Sequence, residues 1–259
     1  MKLSAINTVE PNYNLVRETY GFINTGNIVN RFERQGWNLS SVKEVRPRVK
    51  EREGYQRHLL RFRNEAFPRI EGLSNDHSSI PELIIENSHD GTGALKLYFG
   101  IFRMACLNGI IAGSSLASFR VIHSQNAIKN LDHAIDGMTS NIPSLVERVG
   151  RFAQIEFDRD RSLSLARKGC EIRLGHLKGI QDMDLASALE PKRFADIGKD
   201  AFSVFNVLQE RVIRGGIRYK QINEKNGFVE RKFTRAVNSI SQSVKYNREL
   251  WNALEEVVA

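Results

Sequence analysis

Apolar residues in this chain change their spacing near Ser124, and that change limits the fold more than any other feature. Before it, residues alternate in short runs, as Phe119, Val121 and His123 do on one face of Ala117 to His123; a period of two is that of a strand. After it, they recur at steps of three and four. Leu145, Val149, Phe152 and Ile155 do so within Ile142 to Asp158, and Ile197, Ala201, Val204, Leu208 and Val212 within Phe194 to Val212, which marks two amphipathic helices. Arg214-Gly215-Gly216 stops the second. From Phe233 the series Val237, Ile240, Val244, Asn247, Trp251, Leu254 and Val258 predicts a long terminal helix with one apolar seam. That seam should bury against the Phe194 to Val212 helix or in a homo-oligomer contact, with Asn247 a structural residue that sets register.

The fold class that follows is α+β: a small, mostly antiparallel sheet backed by helices, followed by a helical C-terminal half. Residues 1–36 form a helical or partly flexible segment, 37–124 a sheet-containing core and 125–259 a helical subdomain packed on it. A chain of 259 residues has room for one substantial core or two modest ones. No apolar run reaches the roughly 18 residues that span a bilayer, and Met1 to Asn7 lacks the apolar core of a signal peptide, so a cytoplasmic protein with no membrane partner is expected. Cys106 and Cys170 form no CxxC pair and sit among apolar neighbours, as buried reduced thiols do.

The net charge of +8 favours a polyanionic partner, because each neutralised phosphate releases condensed counterions. The charge crowds into Lys43 to Arg69, at Arg46, Arg48, Lys50, Arg52, Arg57, Arg61, Arg63 and Arg69. Trp37 to Lys50 and Tyr55 to Arg63 read as two strands joined by Glu51-Arg52-Glu53-Gly54, a hairpin closed by glycine. Pairing Lys50 with Tyr55 sets Arg48 opposite Arg57, Glu44 opposite Arg61 and Val45 opposite Leu60. One face is then basic and the other partly apolar. Arg46, Arg48, Lys50, Arg57, Arg61 and Arg63, with Tyr55 as a stacking platform, make a candidate nucleic-acid surface. The plainer reading, favoured because like charges directly opposite are costly unless an anion binds them, is a solvated face partly neutralised by Glu44, Glu51 and Glu53.

Beyond a polar connection, Gly72 to Ser79, Pro81 to Glu86 form a short apolar strand that delivers Asn87-Ser88-His89-Asp90-Gly91-Thr92 at its end, where scaffolds present functional groups. Ala94 to Cys106 fits both periods; a strand to about Phe99, then a short helix ended by Asn108-Gly109, is expected. Asn87, His89, Asp90, Arg103, Asn108 and His123 form a candidate polar site, with the Asn87 to Thr92 loop and His123 close in space.

The block Asn87 to Thr92, then Gly100-Ile101-Phe102-Arg103-Met104-Ala105-Cys106-Leu107-Asn108-Gly109 and a strand ending at His123, resembles the phage and plasmid-like family called domain of unknown function 932. The pattern continues through Phe205 to Glu210, Arg214 to Gly216 and Asn247 to Trp251, covering most of the chain from Trp37 onward, whereas the segment up to Gly36 carries none of it. The resemblance implies a bacterial or phage protein, often carried on mobile elements, and thus the cytoplasm of a bacterial host cell. It carries over no activity and no catalytic residues.

Chemistry has to be judged on the residues themselves. His89, Asp90 and His123 are metal-ligand types, as are Asp132 and His133, but their spacing matches no metal motif, and Asn, Ser, Asp, Gly and Thr are also the residues of a tight polar turn. Gly91-Thr92-Gly93 lacks the lysine of a phosphate-binding loop, and no cofactor is expected. Three classes fit: a nucleic-acid-binding protein of a phage or mobile element that handles single-stranded DNA in recombination or replication; a protein-interaction factor meeting a host protein to modulate defence; and a metal-dependent hydrolase using His89, Asp90 and His123. The first is preferred on charge.

Overall fold

The structure, a computed structural model, describes residues 5–67, 79–103, 108–111, 118–123, 127–192 and 196–259. In chain order the elements are α1 (Thr25–Arg34), β1 (Asn38–Glu44), a 3-10 turn (Lys50–Arg52), β2 (His58–Arg63), β3 (Ser79–Asn87), β4 (Leu95–Arg103), β5 (Asn108–Ile111), β6 (Ser118–Val121), α2 (Ala127–Gln154), α3 (Arg159–Leu174), β7 (Ile180–Met183), α4 (Leu185–Ala188), α5 (Ala201–Arg214), β8 (Arg218–Ile222), β9 (Val229–Phe233) and α6 (Ile240–Val258). The chain is therefore α+β. It divides into two compact units, one of Met1–Arg69, Ile80–Phe102 and Ser115–Ser144, the other of Ile70–Ser79, Arg103–Ser114 and Leu145–Ala259. The division crosses α2 just after Pro143, a residue that removes a helical hydrogen bond.

In the first unit the strands run in the order β1-β2-β3-β4, with β6 also pairing β4. The hairpin of β1 and β2 forms, but its register differs from the expected one. Glu44 lies opposite His58 and Val42 opposite Leu60, three residues away from the expected pairing of Glu44 with Arg61. Pro47, which has no N–H to give a ladder, and the 3-10 turn take residues 45–57 out of the strands. Only Val45 extends the pairing, its N–H bonding the Arg57 carbonyl at 2.9 Å. Leu60, Phe62 and Leu83 are fully buried on one face. Phe62 stacks on Phe32 of α1 with ring centroids 4.3 Å apart, and Phe119 of β6 lies against Gly137 of α2. Arg31 of α1 and Asp132 of α2 join the two covering helices at 2.6 Å.

The Ala94 to Gly109 stretch corrects an expectation. Gly100 to Arg103 continue β4 and Asn108-Gly109 open β5, so the described parts are extended where a helix was anticipated; 104–107 lie outside the described residues. Alternating Leu95, Leu97, Phe99 and Ile101, all fully buried, decided in favour of the strand. Arg69, most of the Gly72 to Ser79 connection and Cys106 also lie outside them.

The second unit holds α3, α5 and α6 around Trp251, which is fully buried and meets Phe205 and Phe152 edge-on at 6.1 and 5.6 Å. Val237, Ile240, Val244, Asn247 and Leu254 share its seam and are buried, with α6 packed on α5 and α3. Asn247 has a structural role: its Oδ1 accepts from Gln209 Nε2 at 2.9 Å and its Nδ2 donates to Ser243 O. Three boundaries shift. Helix α2 starts at Ala127 and ends at Gln154, before the expected Ile155 and Asp158, and Asp158 caps α3. Helix α5 starts at Ala201, capped by Asp200, and leaves Ile197 exposed; α6 starts at Ile240, capped by Ser239. Phe233 belongs to neither helix but to a three-stranded antiparallel sheet, β7-β8-β9, which the helical reading of this half did not include.

Candidate functional site

Alternation along β2 and β3 sends two groups of side chains to the face opposite Leu60 and Phe62. Arg61 and Arg63 come from β2, Arg57 from the residue just before it, and Glu82 and Glu86 from β3. Arg61 Nη1 and Arg63 Nε bond the two oxygens of Glu82 at 2.6 and 2.8 Å. Arg57 pairs with Glu86, which also accepts from the Tyr98 hydroxyl at 3.0 Å. Glu82 is 0% and Glu86 2% exposed. Three of the seven expected nucleic-acid residues are thus answered by buried carboxylates one strand away, not by Glu44, Glu51 or Glu53. Arg46, Arg48 and Lys50 are exposed in the 45–57 connection and Tyr55 is half-buried there. Burial, and after it the Arg61 cation, lowers the Lys43 pKa.

The polar loop after β3 lies under the N-terminal segment. Tyr20 bonds the Ser88 carbonyl at 3.1 Å and stacks on His123 at 4.7 Å, so the Asn87 to Thr92 loop and His123 share one neighbour. His58 Nδ1 donates to Gln56 O at 3.0 Å, which leaves its Nε2 to accept from Thr25 Oγ1 at 2.9 Å. His89 Nε2 donates to Ala5 O at 3.1 Å and faces Thr25 Oγ1 at 3.0 Å. His123 Nδ1 donates to Gly21 O at 3.3 Å. Burial holds all three rings neutral. It lowers the His58 pKa, brings His89 down to about 3 with help from the neighbouring His58 and His123, and takes His123 to about 4.

Among the described residues these tautomers leave His89 Nδ1 and His123 Nε2 as buried acceptors without a partner, and Asn87 Oδ1 and Ser88 Oγ likewise have none. Asp90 is otherwise engaged: Oδ1 accepts from the Thr92 N–H and hydroxyl, and Oδ2 pairs with Arg52 at 3.2 Å. Gly91, at φ +73, makes the turn. Among the described residues no three His, Cys, Asp or Glu side chains come together as ion ligands. Arg103 ends β4 and Asn108 opens β5; their side chains lie outside the described part. Cys170 is buried, and burial pushes its thiol up to about 12, far from a reactive thiolate. Thr25, Tyr20 and His58 were missed from sequence because nothing local ties them to a loop that lies 64, 68 and about 30 residues on.

A third group was also missed. The register of β8 and β9 sets Arg218 opposite Phe233, Lys220 opposite Arg231 and Ile222 opposite Val229, all on one side of the second sheet. Asp182 of β7 lies across from Lys220. Arg218 pairs with Asp184 at 2.8 Å and Lys220 with Asp182 at 3.0 Å, in pairs whose side chains are 37–60% exposed. Arg231 is exposed and has no ion pair among the described residues. A cleft of about 680 Å³ borders this face, lined by Asp182, Asp184, Arg218, Lys220, Arg231 and Phe233 among others. The signal in the sequence was Asn226-Gly227 between the alternating runs Arg218 to Ile222 and Val229 to Phe233, a hairpin pattern.

Comparison with known proteins places this architecture in a family. Two Escherichia coli (strain K12) proteins, UPF0380 protein YfjQ and UPF0380 protein YafZ, are each 30% identical over 251 residues, covering 93% of this chain and 83% of theirs. No solved structure matches. The match to the family model runs over residues 12–251, so it begins well before Trp37 and takes in Tyr20 and Thr25 of the buried polar cluster. The chain belongs to the family described as domain of unknown function, DUF932.

Proposed function

We propose that this protein binds nucleic acid, and that the exposed face of the β7-β8-β9 sheet receives the phosphates. The observation that carries this reading is the cross-strand pair Lys220 and Arg231. Like charges directly opposite on a sheet destabilise it; Asp182 offsets only one of the two cations, and a phosphate beside Arg231 supplies the second counter-charge. The net charge of +8 adds long-range attraction for a polyanion.

Burial separates the two basic regions. Drawing both Arg61 and Arg63 onto phosphates strands the buried Glu82, a change on the order of 3 to 5 kcal/mol, whereas Glu86 keeps Lys96 at 3.6 Å and the Tyr98 hydroxyl when Arg57 leaves. Taking Arg218 from half-buried Asp184, or Lys220 from exposed Asp182, costs about 0 to 1 kcal/mol. Asp184 also keeps the Ser187 N–H at 3.0 Å when its arginine leaves. The second sheet therefore offers the cations that a ligand can take over. Handling of nucleic acid in recombination or replication on a mobile element is the setting we attach to this surface.

The test is binding of a labelled oligonucleotide by fluorescence anisotropy across a salt series. Affinity should fall linearly with the logarithm of salt concentration. Neutralising Arg218, Lys220 and Arg231 with glutamine should weaken binding and flatten that slope by about 1 per lost contact. Loss of binding on neutralising Arg46 and Arg48, with the second-sheet variant unaffected, would move the interface to the first hairpin. No binding to DNA or RNA at low salt refutes the reading.

A further inference from the structure

We infer that the face of β8 and β9 takes single-stranded nucleic acid specifically, stacking an unpaired base on Phe233; this rests on the nucleic-acid reading above and adds the form of the ligand. Phe233 is 68% exposed and its neighbour on the same face, Val229, 54%. A single exposed ring is ordinary on a protein surface; this one is set apart by Val229 and by the cations Arg218, Lys220 and Arg231 on the same face. Phe233 lies on the last strand of its sheet, directly opposite Arg218 and two residues from Arg231. Directly opposed side chains on a sheet are about 5 Å apart at Cβ, and residues two apart on a strand about 7 Å. The ring and its flanking guanidinium groups therefore fall within the reach of one nucleotide and its adjoining phosphates.

The form of the ligand follows from what each partner exposes. In a duplex the base faces are stacked on one another and closed to a protruding phenyl ring. A single strand offers them, and every base has a face to stack, so binding is tolerant of sequence. The bordering cleft, lined by Phe233, Arg231 and Arg218, gives the stacked base somewhere to lie. Charge complementarity points the same way, because Arg231 is unpaired among the described residues and the other two cations hold partners that are easily displaced.

The experiment compares the intact protein with its F233A, F233L and F233W variants, binding an oligothymidine strand and a duplex of equal length at low salt. Loss of stacking should weaken the single strand by about 5- to 150-fold in F233A, leave F233L weakened, and spare the duplex. F233W should restore affinity, and its new exposed indole should be quenched by the strand against the background of buried Trp37 and Trp251. Equal loss for strand and duplex, or no loss in F233A while the Arg218, Lys220 and Arg231 variant still weakens binding, overturns the stacking proposal and leaves the nucleic-acid reading intact. No binding of either form by the unaltered protein removes that reading and this one with it. Poly-glutamate binding as tightly as the oligonucleotide, with the same dependence on Phe233, overturns the proposal in favour of an acidic protein partner.

Discussion

Replacing Glu82 by glutamine removes one negative charge from beneath two arginines and almost nothing else. Glu82 is fully buried and accepts from Arg61 at 2.6 Å and Arg63 at 2.8 Å. Breaking a buried ion pair from one side costs on the order of 3 to 5 kcal/mol. Two features reduce that figure: the Arg61 and Arg63 side chains are 16% and 32% exposed, so they can turn partly towards water, and glutamine keeps one acceptor oxygen. A loss of about 2 to 3 kcal/mol is expected. With a urea dependence of about 2 kcal/mol per molar, the midpoint should drop by about 1 to 1.5 M. Because a chain of two units need not unfold in one step, the probe has to be local. Trp37, fully buried and stacked on Phe67 at 5.4 Å, is the first unit's own tryptophan, and a W251F background leaves it as the sole emitter. An unchanged midpoint would show that the arginines are satisfied by solvent, and the exclusion of the first hairpin from phosphate binding would lose its basis.

Trp251→Ala should cost about 3 to 5 kcal/mol in the second unit, as expected for a fully enclosed tryptophan; a urea titration that detects less than about 1 kcal/mol would show that the seam is not packed as described. Acid should weaken the first unit well above the carboxylate range. Unfolded His89 and His123 take up protons below about pH 6.5, whereas the folded ones resist until about 3 and 4. Their contribution is therefore complete above pH 6.5 and is lost as pH falls towards those values, by about 2 kcal/mol per histidine between pH 7 and pH 5. Urea midpoints at the two pH values give the loss, and an H89Q and H123N double variant should flatten it; an unchanged pH slope would mean that these rings are not held neutral.

Elements whose evidence is local were legible in the sequence. The α6 seam, the helix stop at Gly215 and the existence of the first hairpin each rest on spacing or turn chemistry within some 20 residues. Register was not legible. A proline and one 3-10 turn displaced it by three positions, and with it the identity of every cross-strand partner. Glu82 and Glu86 could not be matched to their arginines for the same reason. The second hairpin had a readable Asn-Gly turn, but its strands are five residues each, and the helical periodicity on both sides of them outweighed so short an alternation. The buried histidines show the remaining limit. Their types were visible, whereas the carbonyls that fix their tautomers belong to an N-terminal segment with no regular pattern of its own.

That N-terminal segment also bears on how the chain is made. The Ala5 carbonyl meets His89 across 84 residues and the Gly21 carbonyl meets His123 across 102. At synthesis rates of roughly 5 to 20 residues per second, Gly21 waits about 5 to 20 s before its partner has even been polymerised. Through that interval the half-buried Tyr20 lacks its His123 stacking partner, and the buried Ile23 lies beside a segment whose contacts are incomplete. The segment around Tyr20 therefore completes its contacts late in synthesis, and a stretch held open for so long is a natural target for holdase chaperones and for aggregation during overexpression.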